Sequence, residues 1–442
     1  MPTVGVISLG CSKNRVDTEL MLSILKDHGY TITADEKEAE VLIVNTCGFI
    51  DPAKQESIDT LLQMAEYKRT GKCKVLVATG CLAQRYEKEL MADMPEIDLL
   101  MGVSQYPRLP EALDEALHGK RQSFCGRDNT ILSGSRVLTT APYSAYIRIA
   151  DGCDNHCAYC AIPLIRGGYR SREMEDVLDE IRTLAEKGVK EHVLVAQDTS
   201  RFGIDRVGHS QLPELMERAA EISGVEWLRV LYCYPDEIDE ELLSAMARHD
   251  NICKYLDLPL QHADPLLLKR MNRRGDPEKT RQLLHWAREM GFTLRTTFIV
   301  GFPGETDEQF ARLMDFVREI QFDRLGAFTY SPEEDTPAAR MDGQIPEEIK
   351  QKRLDELMTA QQAISLERNR LRIGTEEKVL VETVDGKGHG VGRSAQEAPD
   401  TDGVIKLTGV SEADLGQFVR ARITDAEVYD LRAERIREDG CP

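Results

Sequence analysis

Short apolar runs alternate with amphipathic stretches along most of the chain, and the spacing of this alternation changes twice. In the first segment the runs are VGVISLGC, VLIVNTC and VLVATGC, separated by helical patterns such as DTELMLSILKDHG and the one that follows Pro52. Strands that alternate with helices of this length are typical of an open parallel α/β sheet. We therefore predict such a sheet for an N-terminal domain of residues 1–118.

Residues 119–141 lose this period and gain Gly, Ser and Thr, which predicts a linker. From Tyr143 the rhythm resumes with six candidate strands: AYIRIADG, EHVLVAQD, EWLRVLYCYP, KYLDLPLQH, TLRTTFIVGFPG and RLGAFTYS. Helical patterns lie between them, and Gly188 stands where the first helix should end. This predicts a partial (β/α)6 barrel over residues 142–374, with a long last helix ending near Gly374. Its chemistry is expected at the carboxyl ends of the strands.

The tail, residues 375–442, consists of shorter alternating stretches, namely KVLVETV, GVIKL and FVRARITDAEVYDLRAERI, with glycines between them. This pattern predicts a small antiparallel β barrel. The fold class is therefore a multidomain α/β chain with three units, which agrees with 442 residues at roughly 150 residues per domain.

Composition narrows the class of protein further. Lys and Arg number 56 against 76 Asp and Glu, a net charge of −20, which argues against a protein that wraps nucleic acid and suits a basic partner. No apolar run approaches the length of about eighteen residues that spans a membrane, and MPTVGVISLG does not resemble a secretory signal. Eleven cysteines, an odd number, favour reduced thiols over disulfides. We expect a cytoplasmic protein.

The strongest chemical signal is the run Cys153-Asp-Asn-His-Cys157-Ala-Tyr-Cys160, directly after the first barrel strand. Three thiolates at this spacing can ligate three irons of a cubane iron–sulfur cluster and leave the fourth iron open. A structural zinc site with His156 as the fourth ligand and a set of buried thiols are the alternatives. The position at the barrel mouth favours the cluster.

A second group consists of Cys11, Cys47 and Cys81, each of which ends a strand of the N-terminal sheet. Because carboxyl ends of parallel strands share one edge of a sheet, these cysteines are predicted neighbours in space. The alternative is three small buried side chains, as free cysteines usually are. Three cysteines at one structural position favour a second three-liganded cluster.

The run at residues 153–160 resembles the cluster motif of the radical S-adenosylmethionine (SAM) enzymes, including the aromatic Tyr159 before the last cysteine. The glycine-rich strand of that family matches TFIVGFPGE, residues 297–305. The resemblance implies that SAM binds the open iron, with Gly301, Gly304 and Glu305 at the cofactor site.

Taken together, the two cysteine groups resemble the methylthiotransferase family over nearly the whole chain. The family has an N-terminal cluster domain, a radical SAM barrel and a C-terminal TRAM domain. Two of its branches modify tRNA adenosine and one modifies an aspartate of a small-subunit ribosomal protein. The strings GCSKNRVDTE, NTCGFIDPAKQES and IPLIRGGYRSR look like the ribosomal-protein branch, the RimO type.

The charge of the tail domain favours the same branch. Residues 376–442 contain nine basic and fifteen acidic side chains, a balance of −6. A TRAM domain that binds RNA should be basic, because phosphate contacts supply much of that affinity. An acidic one would instead attract a basic ribosomal protein. The same chemistry on tRNA is the first alternative, and a non-catalytic iron–sulfur scaffold or carrier is a remote second.

The resemblance implies two 4Fe-4S clusters, SAM, and a one-electron donor such as flavodoxin or ferredoxin. It implies that a 5′-deoxyadenosyl radical removes hydrogen from the aspartate β-carbon, which then receives a methylated sulfur from the second cluster. No side chain has a pKa suited to removing such a proton, so acid–base catalysis does not serve this step.

Several other residues are candidates of lower rank. Gln197 and Asp198, at the end of the second barrel strand, are predicted contacts to SAM or caps of the next element. Arg166, Arg170 and Arg172 are predicted to meet an acidic substrate group or the cofactor carboxylate, or to be a solvated face. His262 either faces the cofactor or is structural. The basic run Lys269, Arg270, Arg273 and Arg274 is expected to be an exposed helix end. The remaining cysteines are expected to be packing or surface thiols; they are Cys73, Cys125, Cys233, Cys253 and Cys441.

Overall fold

The computed structural model describes residues 2–126, 128 and 130–437; Cys441 and the end of the predicted tail domain lie outside the described residues. The described chain forms a parallel α/β sheet, then an open six-stranded barrel, then a small closed β barrel. This confirms the predicted fold class. No helix in the described part of the chain is long and apolar enough to cross a membrane.

The N-terminal domain is a six-stranded parallel sheet in the order β2-β1-β3-β4-β5-β6. Its strands are β1 (Thr3–Ser8), β2 (Thr31–Ile32), β3 (Val41–Thr46), β4 (Val75–Gly80), β5 (Leu99–Met101) and β6 (Gln122–Phe124). Its helices are α1 (Ser12–Asp27), α2 (Asp51–Ala65), α3 (Tyr67–Thr70), α4 (Cys81–Arg85), α5 (Glu87–Asp93) and α6 (Leu109–Leu117).

The three strands that end in cysteine are β1, β3 and β4, as predicted. Strands β3 and β4 are buried along their whole length, and alternate residues contribute to two separate apolar cores on opposite faces of the sheet. This explains why their sequences are continuous apolar runs. Strands β2, β5 and β6 were not predicted. Strand β6 lies inside the segment that was predicted as a linker, and it was missed because three residues are too few to show a strand period.

The central domain contains six parallel strands in chain order, as predicted: β7 (Ser144–Arg148), β10 (Glu191–Val195), β11 (Trp227–Val230), β12 (Tyr255–Gln261), β13 (Thr293–Val300) and β14 (Arg324–Thr329). They form two three-stranded sheets that meet at a bridge between Leu228 and Ile252. The barrel is open beside β14. A short antiparallel pair, β8 (Ala150–Asp151) and β9 (Arg170–Ser171), flanks the loop that contains Cys153, Cys157 and Cys160.

Helices follow the strands of this domain. They are α7 (Ile162–Arg166), α8 (Met174–Glu186), α9 (Ile204–Val207), α10 (Leu212–Ala220), α11 (Glu240–Arg248), α12 (Pro265–Arg270), α13 (Pro277–Glu289), α14 (Asp307–Ile320) and α15 (Glu347–Arg370). Most of them cover the outer face of the barrel, whereas α7 and α12 lie beside the cysteine loop. Gly188 and Gly374, which follow α8 and α15, both have positive φ, as expected of glycines that end helices. The largest apolar core lies between these helices and the strands.

The C-terminal domain is a closed five-stranded barrel in the order β15-β16-β17-β19-β18. Its strands are β15 (Glu376–Val384), β16 (His389–Arg393), β17 (Ile405–Thr408), β18 (Phe418–Ala426) and β19 (Leu431–Arg435). Two details differ from the sequence-based expectation. The glycine-rich β16 is an unpredicted strand, and β17 pairs with β19 in parallel to close an otherwise antiparallel barrel.

Residues 393–402 of this small barrel close the amino-terminal end of the large one. Arg393 pairs with Glu191 at the start of β10, with a 2.6 Å separation, and Tyr255 at the start of β12 donates to Asp402 at 2.5 Å. The Phe418 ring packs edge-on against Trp227 with ring centroids 4.6 Å apart. The opposite end, where the strands reach their carboxyl termini, therefore carries the site.

Candidate functional site at the carboxyl ends of the strands

The structure brings Cys11, Cys47 and Cys81 to one edge of the N-terminal sheet. Cys11 precedes α1, Cys47 follows β3, and Cys81 is the first residue of α4. A Cβ atom at Gly10, which has a φ of 88°, would lie 3.0 Å from Cβ of Cys47. Only glycine allows the first loop to approach the second so closely.

Cys153, Cys157 and Cys160 lie in the loop between β8 and α7, beyond the carboxyl end of β7. The backbone N–H of Cys153 donates to the Gly167 carbonyl at 3.2 Å, and that of Cys160 to the Cys157 carbonyl at 3.0 Å. Asn155 donates to Asp198 at 2.8 Å, which ties the middle of the loop to the end of β10. The three thiols therefore sit on a fixed turn.

Arg166 connects the two cysteine groups. Its guanidinium donates to Asp17 at 2.8 Å and approaches Sγ of Cys81 at 3.7 Å. Its other nitrogen donates at 3.2 Å to Asp151, two residues before Cys153. Because Asp17 lies on α1, which begins just after Cys11, the buried side chain of Arg166 links the loops of both cysteine groups.

Burial favours the neutral thiol at three of these cysteines. It raises the pKa of Cys81 and of Cys160 to about 12 and that of Cys153 to about 11, against a weaker opposing effect of Arg166 at Cys81. In the described part of the chain, no group of three or more His, Cys, Asp or Glu side chains has the arrangement expected around a metal ion. Two open groups of three thiols suit a cluster that brings its own iron and sulfide between them better than a single zinc ion.

Of the two candidate SAM contacts that follow β10, only Gln197 presents an unused polar atom. Its amide nitrogen donates to Asp151 at 3.0 Å, whereas its buried Oε1 has no hydrogen-bond partner. An acceptor in this position suits the ammonium group of an amino acid. Asp198 is occupied by Asn155 and by the Ser200 hydroxyl, so its carboxylate holds the cysteine loop in place.

The turn after β13 has the backbone that its glycines predict. Gly301 and Gly304 have φ values of 73° and 80°. A Cβ on Gly301 would lie 2.3 Å from the Lys350 side chain and one on Gly304 2.8 Å from Arg270. The space that a Cβ atom would occupy at these two glycines is therefore taken by the side chains of Lys350 and Arg270 and not left for a cofactor.

Glu305 anchors this turn from inside. It accepts from the Gly301 backbone and pairs with Arg353 at 2.8 Å and with Nε2 of His262 at 3.1 Å. Nδ1 of His262 meets the Asp264 N–H at 3.0 Å. Both ring nitrogens are thus engaged within the chain, which supports the structural alternative for His262.

A cavity of about 560 Å³ lies beside both cysteine groups. Phe49 and Ile50, just after Cys47, line one side and Tyr159, next to Cys160, lines another. Strand residues including Thr297 and Ile299 complete its largely apolar wall. The cavity has room for a small organic ligand and adjoins both candidate cluster sites.

Arg170 and Arg172 find their partners within the chain, as Arg166 does. Arg172 pairs with Asp176 at 2.8 Å and with Glu180. Arg170 donates to the carbonyls of Gly168 and Arg166. These contacts orient the end of the cysteine loop and leave no free guanidinium of the three in contact with the cavity lining.

Two features of the site were missed by the sequence analysis. Arg273 is directed at the cysteine loop, with its guanidinium 3.8 Å from Sγ of Cys157 and 3.4 Å from the Tyr159 hydroxyl. The neighbouring basic residues made it look like part of an exposed helix end, and only the fold shows which one turns inward.

The second missed feature is Glu333, a buried residue after β14 that reaches the N-terminal domain. Its carboxylate accepts from Lys54 at 2.9 Å and from Arg85 at 3.0 Å. Lys54 follows Cys47 on α2, and Arg85 follows Cys81 on α4. No local pattern marks a contact between residues this far apart in the chain.

Three family models match the chain: uncharacterized protein family UPF0004 over residues 3–102, the radical SAM superfamily over residues 147–317 and the TRAM domain over residues 373–436. Among solved structures, the radical S-adenosylmethionine methyltransferase TsrM from Kitasatospora setae, with cobalamin and a [4Fe-4S] cluster bound, has a TM-score of 0.56. The match covers 90% of this chain and 81% of that chain at 16% identity, so it shows the fold alone.

Curated relatives match over nearly their whole length. The ribosomal protein uS12 methylthiotransferase RimO of Desulforamulus reducens is 48% identical over 98% of this chain and 99% of the relative. The protein of the same name from Heliobacterium modesticaldum is 47% identical over 99% of this chain and 96% of the relative. That from Pelotomaculum thermopropionicum is 49% identical over 98% of this chain and 99% of the relative. With matches to three family models and 47–49% identity to these relatives over nearly the whole chain, the chain belongs to the RimO family of radical SAM methylthiotransferases.

Proposed function

We propose that this chain methylthiolates the β-carbon of an aspartate in ribosomal protein uS12, the substrate named for its relatives. The observation that carries the proposal is the meeting of two groups of three cysteines at the carboxyl ends of two sheets. A buried guanidinium, Arg166, contacts the loops of both. One cavity adjoins both groups.

The residues present suit two 4Fe-4S clusters and SAM. Cys153, Cys157 and Cys160 would hold the catalytic cluster, and Cys11, Cys47 and Cys81 the auxiliary one. When bound, these groups supply a 5′-deoxyadenosyl radical for hydrogen removal and a methylated sulfur for transfer. Gln197 offers its unused acceptor to the ammonium group of SAM, and the apolar wall with Tyr159 and Ile299 offers a surface for the adenosyl part.

The chain itself positions the two groups and excludes water. Arg166 and Glu333 fix the N-terminal domain over the barrel through buried ion pairs, so the distance between the two sites is set before substrate arrives. The apolar cavity wall, including Phe49, Ile50 and Ile299, provides few partners for water at the place where the substrate carbon must react.

A protein substrate fits the surface better than tRNA. In the small barrel several exposed cations are already paired: Arg420 and Arg422 with Glu376, and Arg432 with Glu427. Lys406 pairs with Glu427 and Asp430. Phosphates would have to displace these carboxylates, which supports the ribosomal protein over tRNA adenosine as substrate.

The proposal includes a one-electron donor such as flavodoxin or ferredoxin, because reductive cleavage of SAM consumes one electron. We place the enzyme in the cytoplasm, where its ribosomal substrate is made and where thiols remain reduced.

The test uses anaerobically reconstituted protein with dithionite, sulfide and SAM, offered purified uS12 and, separately, unmodified tRNA. Mass spectrometry is expected to find a methylthio group on an aspartate of uS12. A methylthio group on tRNA adenosine instead would keep the chemistry and overturn the substrate.

The amount of 5′-deoxyadenosine formed distinguishes the remaining outcomes. If 5′-deoxyadenosine appears without either product, the radical site stands and both substrate assignments fail. If none appears with reduced protein, a non-catalytic iron–sulfur scaffold or carrier is the better description.

A further inference from the structure

We propose that three cations beside the catalytic cysteine loop, Lys269, Arg270 and Arg274, form the docking site of a small acidic one-electron carrier protein. We call these three residues the basic patch. The inference rests on the proposed function, because it specifies where the electron for the Cys153, Cys157 and Cys160 cluster enters.

The basic patch places three exposed cations within six residues of an acidic chain. Among the described residues, none of its three cations has a carboxylate oxygen within ion-pair distance, whereas most arginines on the surface are paired. Arg270 donates to the carbonyl of Asp342 and Arg274 to the side-chain amide oxygen of Asn155, so the hydrogen-bond acceptors of both guanidinium groups are uncharged.

The segment that carries the basic patch packs directly on the cysteine loop. The N–H of Ala158 donates to the Met271 carbonyl at 2.8 Å, and the Asn272 amide donates to the His156 carbonyl at 2.7 Å. Arg273, which follows Asn272 and precedes Arg274, has a guanidinium nitrogen 3.8 Å from Sγ of Cys157. The patch is therefore separated from the catalytic thiols by one layer of contacts, and His156 in that loop is itself exposed.

The surroundings of the basic patch suit a protein carrier. Leu266, one turn earlier on α12, is 69% exposed and gives the patch an apolar neighbour. Transient electron-transfer complexes use small interfaces of this kind, and complementary charge speeds their formation. Since the whole chain has a net charge of −20, an acidic carrier would be repelled elsewhere and guided to this cluster of cations.

RNA of the ribosome is the other occupant to consider. Carboxylates interrupt the basic patch: Asp236 lies against Gly275 and Asp276 caps α13. These carboxylates oppose any anionic partner, but the exposed apolar Leu266 beside the patch offers a contact that a protein surface can use and a phosphate backbone cannot. The structure therefore favours the carrier.

The electron balance is simple. A reduced carrier loses one electron, and the oxidised cluster held by the three cysteines gains it; no atom is transferred. The carrier is the only additional reactant, and its probe in the laboratory is purified flavodoxin in its fully reduced form.

The experiment compares Lys269→Glu and the double variant Leu266→Asp/Lys269→Glu with the unaltered, cluster-loaded enzyme. Lys187→Glu is the matched control: it makes the same change at an exposed lysine after α8, at the opposite end of the barrel. We measure the affinity for flavodoxin at low and high salt and the rate of 5′-deoxyadenosine formation with reduced flavodoxin or dithionite.

With flavodoxin, we expect the variants to lose about tenfold or more in affinity and rate at low salt and to lose most of their salt dependence. With dithionite they should equal the control. Equal behaviour of Lys269→Glu and Lys187→Glu with flavodoxin would overturn the docking site.

Two further arms of the experiment distinguish a protein carrier from RNA and the docking site from the proposed function. Loss of binding to a ribosomal RNA fragment, with flavodoxin binding unchanged, would assign the basic patch to RNA instead. If dithionite itself produces no 5′-deoxyadenosine in the unaltered enzyme, the proposed function fails, whereas the affinity measurements still decide the docking site.

Discussion

Arg166 of the barrel domain donates a hydrogen bond of 2.8 Å to Asp17 of the N-terminal domain, and neither side chain reaches solvent. A charged pair in such a place does not add much net stability over an apolar pair, but removing one partner leaves the other charge buried with fewer opposite charges around it. The contact therefore makes the two cluster domains dependent on each other.

Replacement of this guanidinium should be costly. We expect Arg166→Met to lower the free energy of unfolding by about 2–3 kcal/mol, because Asp17 and Asp151 each lose a buried cation and keep only Arg148 and Arg170. Urea denaturation of the cluster-loaded protein measures this. The control is Arg182→Met, which breaks an exposed pair with Asp179 and should cost less than about 1 kcal/mol; similar losses in both variants would contradict the prediction.

Glu333 should affect coupling more than radical formation. In Glu333→Gln the cations of Lys54 and Arg85 lose their shared carboxylate, and the loops after Cys47 and Cys81 lose their fixed position relative to the barrel. We expect the ratio of methylthiolated uS12 to 5′-deoxyadenosine to fall roughly tenfold or more, since small misplacements are costly. Chromatography of both products gives this ratio.

The control for Glu333 is its neighbour. Glu334→Gln keeps a hydrogen-bond acceptor for the Tyr86 hydroxyl and changes the charge by the same amount at an exposed site. An unchanged ratio in Glu333→Gln, or an equal fall in Glu334→Gln, would show that the interdomain carboxylate does not set the coupling.

The two cysteine groups should be separable by mutation. Cys157→Ala is expected to abolish both 5′-deoxyadenosine and methylthiolated product, because it removes a ligand of the catalytic cluster. Cys47→Ala should abolish methylthiolation while 5′-deoxyadenosine is still formed. Cys73→Ala, at a buried cysteine of the same domain outside the site, is the control and should leave both products. Loss of 5′-deoxyadenosine in Cys47→Ala would refute the division of roles.

Arg273 should tune the catalytic cluster. Its guanidinium lies 3.8 Å from Sγ of Cys157, and a cation beside a thiolate ligand favours the reduced cluster. We expect Arg273→Gln to lower the reduction potential by tens of millivolts, on the order of 1 kcal/mol. A redox titration followed by electron paramagnetic resonance measures the shift. Arg274→Gln, whose side chain meets Asn155 and not a sulfur, should shift it less.

His192 should make stability dependent on pH. Burial lowers its pKa from 6.5 to about 4, so the unfolded chain binds a proton between these values that the folded chain does not. The stability present above pH 6.5 is therefore lost as the pH falls toward 4, by roughly 2 kcal/mol between pH 7 and pH 5. Denaturation of His192→Phe should show a smaller loss over this range. His209→Gln, at an exposed histidine, should retain the full loss.

The sequence predicted what depends on local periodicity and on parallel-strand geometry. The six barrel strands and the three cysteine-ending strands follow from apolar runs, and the meeting of Cys11, Cys47 and Cys81 follows from the shared edge of a parallel sheet. Strands β2, β5 and β6 escaped because they have two or three residues, too few to show a period.

Long-range pairings could not be predicted in the same way. Arg166 was expected either to meet substrate or cofactor or to lie on a solvated face, but its partners Asp17 and Asp151 come from segments whose distance in space no local pattern reveals. The same holds for Glu333 with Lys54. Likewise, only packing shows that the glycines of the turn after β13 accommodate Lys350 and Arg270.

The closure of the large barrel by residues 393–402 gives the small C-terminal domain a role apart from recognition. Asp400 accepts from Tyr146 and Asp402 from Tyr255, so the domain covers the amino-terminal end of the barrel strands. In a chain truncated after α15, water would reach side chains that are now buried at the amino-terminal end of the strands, such as Tyr146, Trp227 and Tyr255. The tail domain therefore completes the apolar core of the barrel that holds the site, and its loss should weaken the fold of both domains.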